Sequence, residues 1–102
     1  MTGQTADMNE GDRIRRLIAR FEEQRHDVQR EQWAQVAGLF DEPEWIEMGD
    51  DELQARFLLA YDAYWEIADH VKVEAYDRGE GVIAGLTIAI RELSEEIARA
   101  PR

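Results

Sequence analysis

The chain has 102 residues, no cysteine and a formal net charge of −11, from 23 acidic and 12 basic side chains. Without cysteine, disulfide scaffolds, thiolate zinc sites and cysteine nucleophiles are excluded. The length suits one domain, and a hydrophobic fraction of 44% with three Trp, three Tyr and three Phe predicts a folded core rather than a disordered acidic tail.

The first nine residues are small, polar and aperiodic, and we predict a loose leader there, followed by a single helical domain over residues 10–100. The leader lacks the cationic run and apolar core of a signal peptide. The longest apolar run, residues 82–90, is far shorter than the roughly 20 residues that span a bilayer. We therefore expect a cytoplasmic protein that does not bind membranes.

Apolar residues recur at helical spacing from Ile14 to Phe40, which predicts a long helix. Its apolar face drifts by about a quarter turn, as 100° per residue requires, so the helix bends near Arg30 or two helices meet there. Pro43 predicts the start of a short helix over residues 43–48, and Gly49 suits its C-terminal cap.

The best-patterned segment predicts a helix from about Asp51 to at least Val71. Residues 71–90 are ambiguous, because an alternating pattern around a glycine-rich turn favours a β-hairpin. A seven-residue apolar rhythm and the small-residue strip Gly81, Gly85 and Ala89 favour instead a final helix from near Gly81 to Ala98.

The predicted fold is therefore all-α: a small antiparallel bundle of three main helices with one short helix near residues 43–48. A β-hairpin at 71–90 is the alternative. The expected core residues are Leu17, Phe21, Trp33, Phe40, Leu53, Phe57, Tyr61, Tyr64, Trp65, Leu86, Ile90 and Leu93.

The negative charge is concentrated after residue 40, where sixteen acids face six bases. Residues 41–52 hold seven carboxylates and no base. This cluster is either a solvated connector with Trp45 tucked into the core, or an interaction surface with Trp45 as its apolar anchor. The candidate partner-binding residues in it are Asp41, Glu42, Glu44, Trp45, Glu47, Asp50 and Asp51.

A second group of candidates follows i, i+4, i+7 spacing on the second helix: Asp62, Glu66 and Asp69. Such a row lines one helix face, where it is either simply solvated or imitates the charge spacing of a nucleic-acid backbone. In the second case the protein would occupy the groove of a nucleic-acid-binding protein.

Two acid pairs, Glu44-x-x-Glu47 and Glu66-x-x-Asp69, are separated by eighteen residues. The pattern resembles that of the all-α nucleoside-triphosphate pyrophosphohydrolases, and the resemblance implies that these acids hold Mg²⁺ against a pyrophosphate. A di-iron site needs two Glu-x-x-His pairs, and only Glu23 and His26 have that spacing. We predict no metal, no cofactor and no catalytic residue.

The arginines Arg13, Arg16 and Arg20 share a helix face, but acids surround them and the sequence pI is about 4.5, so direct nucleic-acid binding is not expected. We expect them to pair with carboxylates of the acidic helices or across a homodimer.

We predict a non-enzymatic, acidic protein-binding module. It would be a stoichiometric inhibitor that masks a basic surface of a partner, such as a nucleic-acid-binding protein or nuclease complex. Phage anti-defence proteins such as anti-CRISPR proteins, immunity proteins and antitoxins are similar in charge and size. The alternatives are a Mg²⁺-dependent pyrophosphohydrolase and a dimerising structural protein with the glycine strip as its seam.

Overall fold

The computed structural model describes residues 10–99, which form three α-helices and one short 3₁₀ helix. Helix α1 spans Glu10–Val36, the 3₁₀ helix Pro43–Glu47, α2 Asp50–Ile67 and α3 His70–Arg99. These residues contain no strand, so the all-α prediction is confirmed. The hairpin alternative at 71–90 is wrong, because that segment lies inside α3. The predicted leader lies outside the described residues.

Helix α1 runs through Arg30 without a break and ends in a glycine cap. Gly38 has φ +76°, a conformation that L side chains rarely adopt. It lets the Leu39 N–H reach the Ala34 carbonyl at 2.8 Å and the Gly38 N–H reach the Gln35 carbonyl at 3.1 Å. The predicted drift of the apolar face is therefore not a break in α1. One continuous helix contacts two different neighbours, α2 and α3.

The boundary between α2 and α3 differs from the sequence-based expectation. The chain leaves helical geometry at Ala68, where ψ is 132°, and α3 begins at His70 rather than near Gly81. The Asp69 carboxylate accepts the Lys72 backbone N–H at 2.9 Å and so caps the new helix. The predicted single helix from Asp51 through Val71 is wrong, because this cap starts a second helix within it.

Helices α1 and α3 run antiparallel along their whole length. Arg25 donates to the Thr87 hydroxyl at 3.1 Å, and the Gln32 amide donates to the Tyr76 carbonyl at 3.0 Å. Later residues of α1 therefore contact earlier residues of α3. Helix α2 packs on the C-terminal part of α1, from His26 onward, and touches α3 through Trp65 and Tyr76. The molecule is consequently long and thin, measuring 60 × 25 × 21 Å.

The core lies where α2 meets α1, and it is small. Trp33, Ala34, Val36 and Leu53 are its buried apolar residues. From Phe57 a ladder of ring contacts continues through Tyr61 and Trp65 to Tyr76, and so links α2 to the first turns of α3.

Of the twelve residues predicted for the core, only Trp33 and Leu53 are buried. Leu17, Phe40 and Tyr61 are exposed. The others are half-buried: Phe21, Phe57, Tyr64, Trp65, Leu86, Ile90 and Leu93. Two helices cannot enclose a seam by themselves, and α2 covers only one end of the α1–α3 pair, so the core prediction overstates burial.

The close approach of α1 and α3 at Gly79 gives a stability prediction. A methyl group at Gly79 would lie 2.7 Å from Gln32 Nε2 and would displace that amide from Tyr76. We expect Gly79→Ala to lower the free energy of unfolding by about 1 kcal/mol in spite of its better helix propensity. A methyl group at Gly81 would have no atom within 4 Å, so Gly81→Ala should raise the free energy of unfolding by roughly 0.5–1 kcal/mol. Urea unfolding followed by circular dichroism measures both, and equal effects would contradict the close approach.

Candidate functional site

The acidic segment 41–52 is organised by one cation, Arg30 of α1. The Arg30 side chain is only 12% exposed, and its Nη1 donates to Asp50 Oδ1. Its Nη2 donates to the carbonyls of Trp45 at 2.9 Å, Met48 at 2.8 Å and Ile46 at 3.3 Å. We call this set the Arg30 clasp. It fixes both the 3₁₀ helix and the first turn of α2 to α1.

Asp50 is committed to contacts within the chain. Besides Arg30, it meets His26, whose Nε2 lies 2.7 Å from Asp50 Oδ2. The hydrogen bond from His26, followed by that from Arg30, holds the pKa of Asp50 below its usual range. Asp50 was predicted as a partner-binding residue, and it lies in the clasp.

Trp45 is half-buried, and its polar atom is used within the chain. Its indole N–H donates to the Phe40 carbonyl at 3.0 Å, its ring stacks on Phe40 at 5.9 Å between centroids, and the Arg30 guanidinium lies 5.9 Å from the ring centroid. Trp45 also packs against the buried core. These contacts are those of the connector interpretation, with the indole tucked against the core and only part of its surface exposed.

Most of the other predicted carboxylates are exposed and form no ion pair within residues 10–99. Asp69 differs from them because its carboxylate caps α3. It lies beyond the end of α2 and is therefore not part of the acidic row predicted on that helix. The remaining set is exposed and is spread over the segment before the 3₁₀ helix, that helix and α2. We use the name acidic surface for it: Asp41, Glu42, Glu44, Glu47, Asp51, Asp62 and Glu66.

Two leucines that were not predicted as site residues lie on the outer side of α2. Leu58 is 62% exposed and Leu59 is 88% exposed. Helical spacing places them beside Asp62 and Glu66, on the side away from buried Leu53. The signal was in the sequence, because four consecutive apolar residues, 57–60, cannot all face one neighbour.

The arginines near the start of α1 do not neutralise the acidic surface. Arg20 precedes Arg30 by ten residues, about 15 Å along the helix. Within residues 10–99, Arg13, Arg16 and Arg20 form no ion pair, and Arg15 bonds only the adjacent, exposed Asp12 at 3.4 Å. Their expected pairing with the acidic helices inside one chain is therefore not found there.

The four acids of the pyrophosphohydrolase pattern are distributed over three elements. Glu44 and Glu47 lie on the 3₁₀ helix, Glu66 lies on α2, and Asp69 caps α3. Among residues 10–99, no three His, Asp or Glu side chains are placed to hold one metal ion. The magnesium site that the resemblance implies is not assembled by these residues.

None of the helices described for residues 10–99 combines the length and the apolar character needed to cross a membrane. In comparisons with known proteins, no family model, no curated protein and no solved structure matches this chain.

The clasp predicts a measurable loss of stability. Arg30→Ala leaves the Asp50 carboxylate and three carbonyls without their donor, and we expect it to lower the free energy of unfolding by about 2–3 kcal/mol. Arg56→Ala removes only an exposed 3.4 Å pair with Glu52 and should cost less than about 0.5 kcal/mol. Urea unfolding monitored by tryptophan fluorescence separates them, and similar losses for both variants would refute the clasp.

The lowered pKa of Asp50 predicts a pH dependence with a definite sign. The stabilisation by Asp50 is present above the pKa of the unfolded chain, about 4, and is lost as the pH falls below it. We expect the stability of wild type to fall more steeply between about pH 5 and 3 than that of Asp50→Asn. Asp41→Asn, at an exposed position outside the clasp, should follow wild type. Thermal unfolding across this range measures the difference, and parallel curves for all three proteins would contradict it.

Proposed function

We propose that this chain is a non-enzymatic binding protein whose acidic surface docks on a basic surface of a partner protein. The observation that carries the proposal is the outer side of α2. There Leu58 and Leu59 stand exposed next to Asp62 and Glu66, and neither carboxylate has a cationic partner within residues 10–99.

Electrostatics supports this choice of partner. Carboxylates that are close in sequence on one surface repel one another, and a cationic partner relieves that repulsion. Arg30 is turned inward and bonded to Asp50 and backbone carbonyls, and Arg56 of α2 pairs with Glu52. The field of the acidic surface therefore extends into solvent, where it accelerates association with positively charged proteins and opposes binding to nucleic acid and anionic membranes.

The leucine pair supports a specific interface rather than a diffuse ionic one. Binding free energy in protein interfaces concentrates on apolar side chains at the centre, and charged groups at the rim exclude water and set orientation. Leu58 and Leu59 have this arrangement on α2.

We further propose that the partner is a nucleic-acid-binding protein or nuclease complex in the cytoplasm, and that the chain inhibits it stoichiometrically, as anti-CRISPR proteins, immunity proteins and antitoxins inhibit their targets. Carboxylates would occupy positions that otherwise bind phosphates. The support for this finer proposal is the sign and exposure of the charges.

The test uses charge reversal with a matched control. Wild type, Asp62→Lys/Glu66→Lys and Glu22→Lys/Glu95→Lys are immobilised and exposed to a nuclease-treated lysate of the source cells. Both variants change net charge equally, but only the first alters the acidic surface. We expect wild type and control to capture the same basic protein, and the Asp62/Glu66 variant to capture at least tenfold less.

Calorimetry with the purified captured protein then measures stoichiometry and affinity. We expect a 1:1 ratio and a Kd that rises steeply between about 0.1 and 0.5 M salt, because screening weakens attraction between exposed charges. Leu58→Ser/Leu59→Ser should weaken binding at least tenfold with little change in the salt dependence. Equal capture by all three immobilised proteins would overturn the proposal.

A further inference from the structure

Along much of their length, α1 and α3 form a pair of helices with little contact to α2. Residues 10–28 of α1 and 80–99 of α3 form this two-helix arm, which meets α2 through the His26–Asp50 contact, and none of its residues is buried. Its apolar residues nevertheless follow the spacing of an enclosed seam, and most are half-buried: Ile14, Ile18, Phe21, Val28, Ile83, Leu86, Ile90, Leu93 and Ile97. In stable bundles such a seam is covered on both sides by further helices.

The two sides of the arm differ. On one side Arg25 bonds Thr87 among the half-buried Ile18, Ile83 and Ile90, and further along α3 the same side carries the Trp65–Tyr76 ring contact with α2. From that register and 100° per residue, the opposite side carries two exposed apolar residues, Leu17 and Val82, with three half-buried neighbours. We call this set the open face: Leu17, Phe21, Val82, Leu86 and Leu93. Leu17 is 36% exposed and Val82 is 43% exposed.

The rims of the open face carry opposite charges at matching heights. The α1 rim has Arg13 and Arg20, and the α3 rim has Glu92 and Glu96. Because Arg25 lies level with Thr87 in an antiparallel pair, Arg20 lies level with Glu92, and Arg13 lies within a turn of Glu96. Within residues 10–99, Glu96 pairs only with the exposed Arg99, and the other three form no ion pair.

We propose that the open face binds a second copy of this chain. Two arms related by a twofold axis parallel to their helices form a four-helix bundle, with α1 of each copy over α3 of the other. Leu17 and Val82 become buried, and Arg13 and Arg20 of one copy meet Glu96 and Glu92 of its mate. This inference does not depend on the proposed function, because the residues that carry that proposal, Leu58, Leu59, Asp62 and Glu66, lie on α2 and not on the open face.

The small-residue strip that the sequence suggested as a seam is divided between two sides of α3. Ala89 follows Val82 by seven residues and shares the open face, and Gly85 precedes Glu92 by seven and lies on its rim. Gly81 lies on the side of α3 turned away from α1, together with Ala84 and with Ile88, which is 47% exposed. That side provides the control for the experiment.

Sedimentation equilibrium between about 1 and 100 µM tests the interface. We expect wild type to be a dimer, Leu17→Glu/Val82→Glu to be a monomer, and Ala84→Glu/Ile88→Glu, with the same added charge on the other side of α3, to stay a dimer. Circular dichroism checks that helix content is retained, since all four positions are exposed in the single chain. A monomeric wild type, or dissociation by the Ala84/Ile88 variant alone, overturns the proposal.

A charge exchange tests the twofold arrangement. In Arg13→Glu/Arg20→Glu, acids would face acids across the interface, and in Glu92→Arg/Glu96→Arg, bases would face bases. We expect each variant alone to dimerise at least tenfold more weakly than wild type. An equimolar mixture should restore a 1:1 heterodimer, because every rim pair then has opposite signs. Homodimers of wild-type strength, or a mixture that stays monomeric, overturn the arrangement.

The outcomes separate this inference from the proposed function. Asp62→Lys/Glu66→Lys should remain a dimer while losing the basic partner, and Leu17→Glu/Val82→Glu should retain that partner as a monomer. If wild type is monomeric yet captures a basic protein through α2, the dimer is wrong and the proposed function stands.

Discussion

The structure depends on a guanidinium that satisfies four acceptors at once. The carbonyls of residues 45, 46 and 48 converge with the Asp50 carboxylate on Arg30. Four oxygen acceptors in so small a space need a donor with several N–H groups in a fixed plane, which is the particular chemistry of arginine. With this contact the connector folds back over α1, Leu53 enters the core, and α2 exposes its outer side.

The all-α fold class could be predicted from the sequence, because the helical spacing of apolar residues is regular wherever a helix packs on the same neighbour along its length. Ile14 to Val28 face α3 throughout, and the seven-residue rhythm of α3 outweighed the alternating pattern at 71–76. The break after Ile67 carries no such signal. Neither Gly nor Pro marks it, and the apolar spacing through Ala68 and Val71 continues as if one helix persisted. The cap at Asp69 decides the boundary, and a capping aspartate looks the same in sequence as an exposed one.

The sequence located the candidate site but did not show which of its acids are available to a partner. A count of charges finds segment 41–52, but it does not tell which acids have partners. Asp50 bonds His26 and Arg30, residues twenty or more positions earlier, whereas Asp51 next to it is exposed and forms no ion pair with any residue from 10 to 99. Leu58 and Leu59 were missed because an exposed leucine of a helix looks the same in sequence as a buried one, and α2 packs closely on α1 alone along most of its length.

The uneven distribution of charge along a 60 Å molecule has a consequence before any contact is made. The two-helix arm holds nine acidic and seven basic residues, whereas residues 29–79 hold thirteen acidic and four basic. The centre of charge is therefore displaced from the centre of mass, and the molecule has a large permanent dipole. In the field of a cationic body it experiences a torque that turns the α2 end forward, so rotational search is shortened and fewer collisions occur in the wrong orientation.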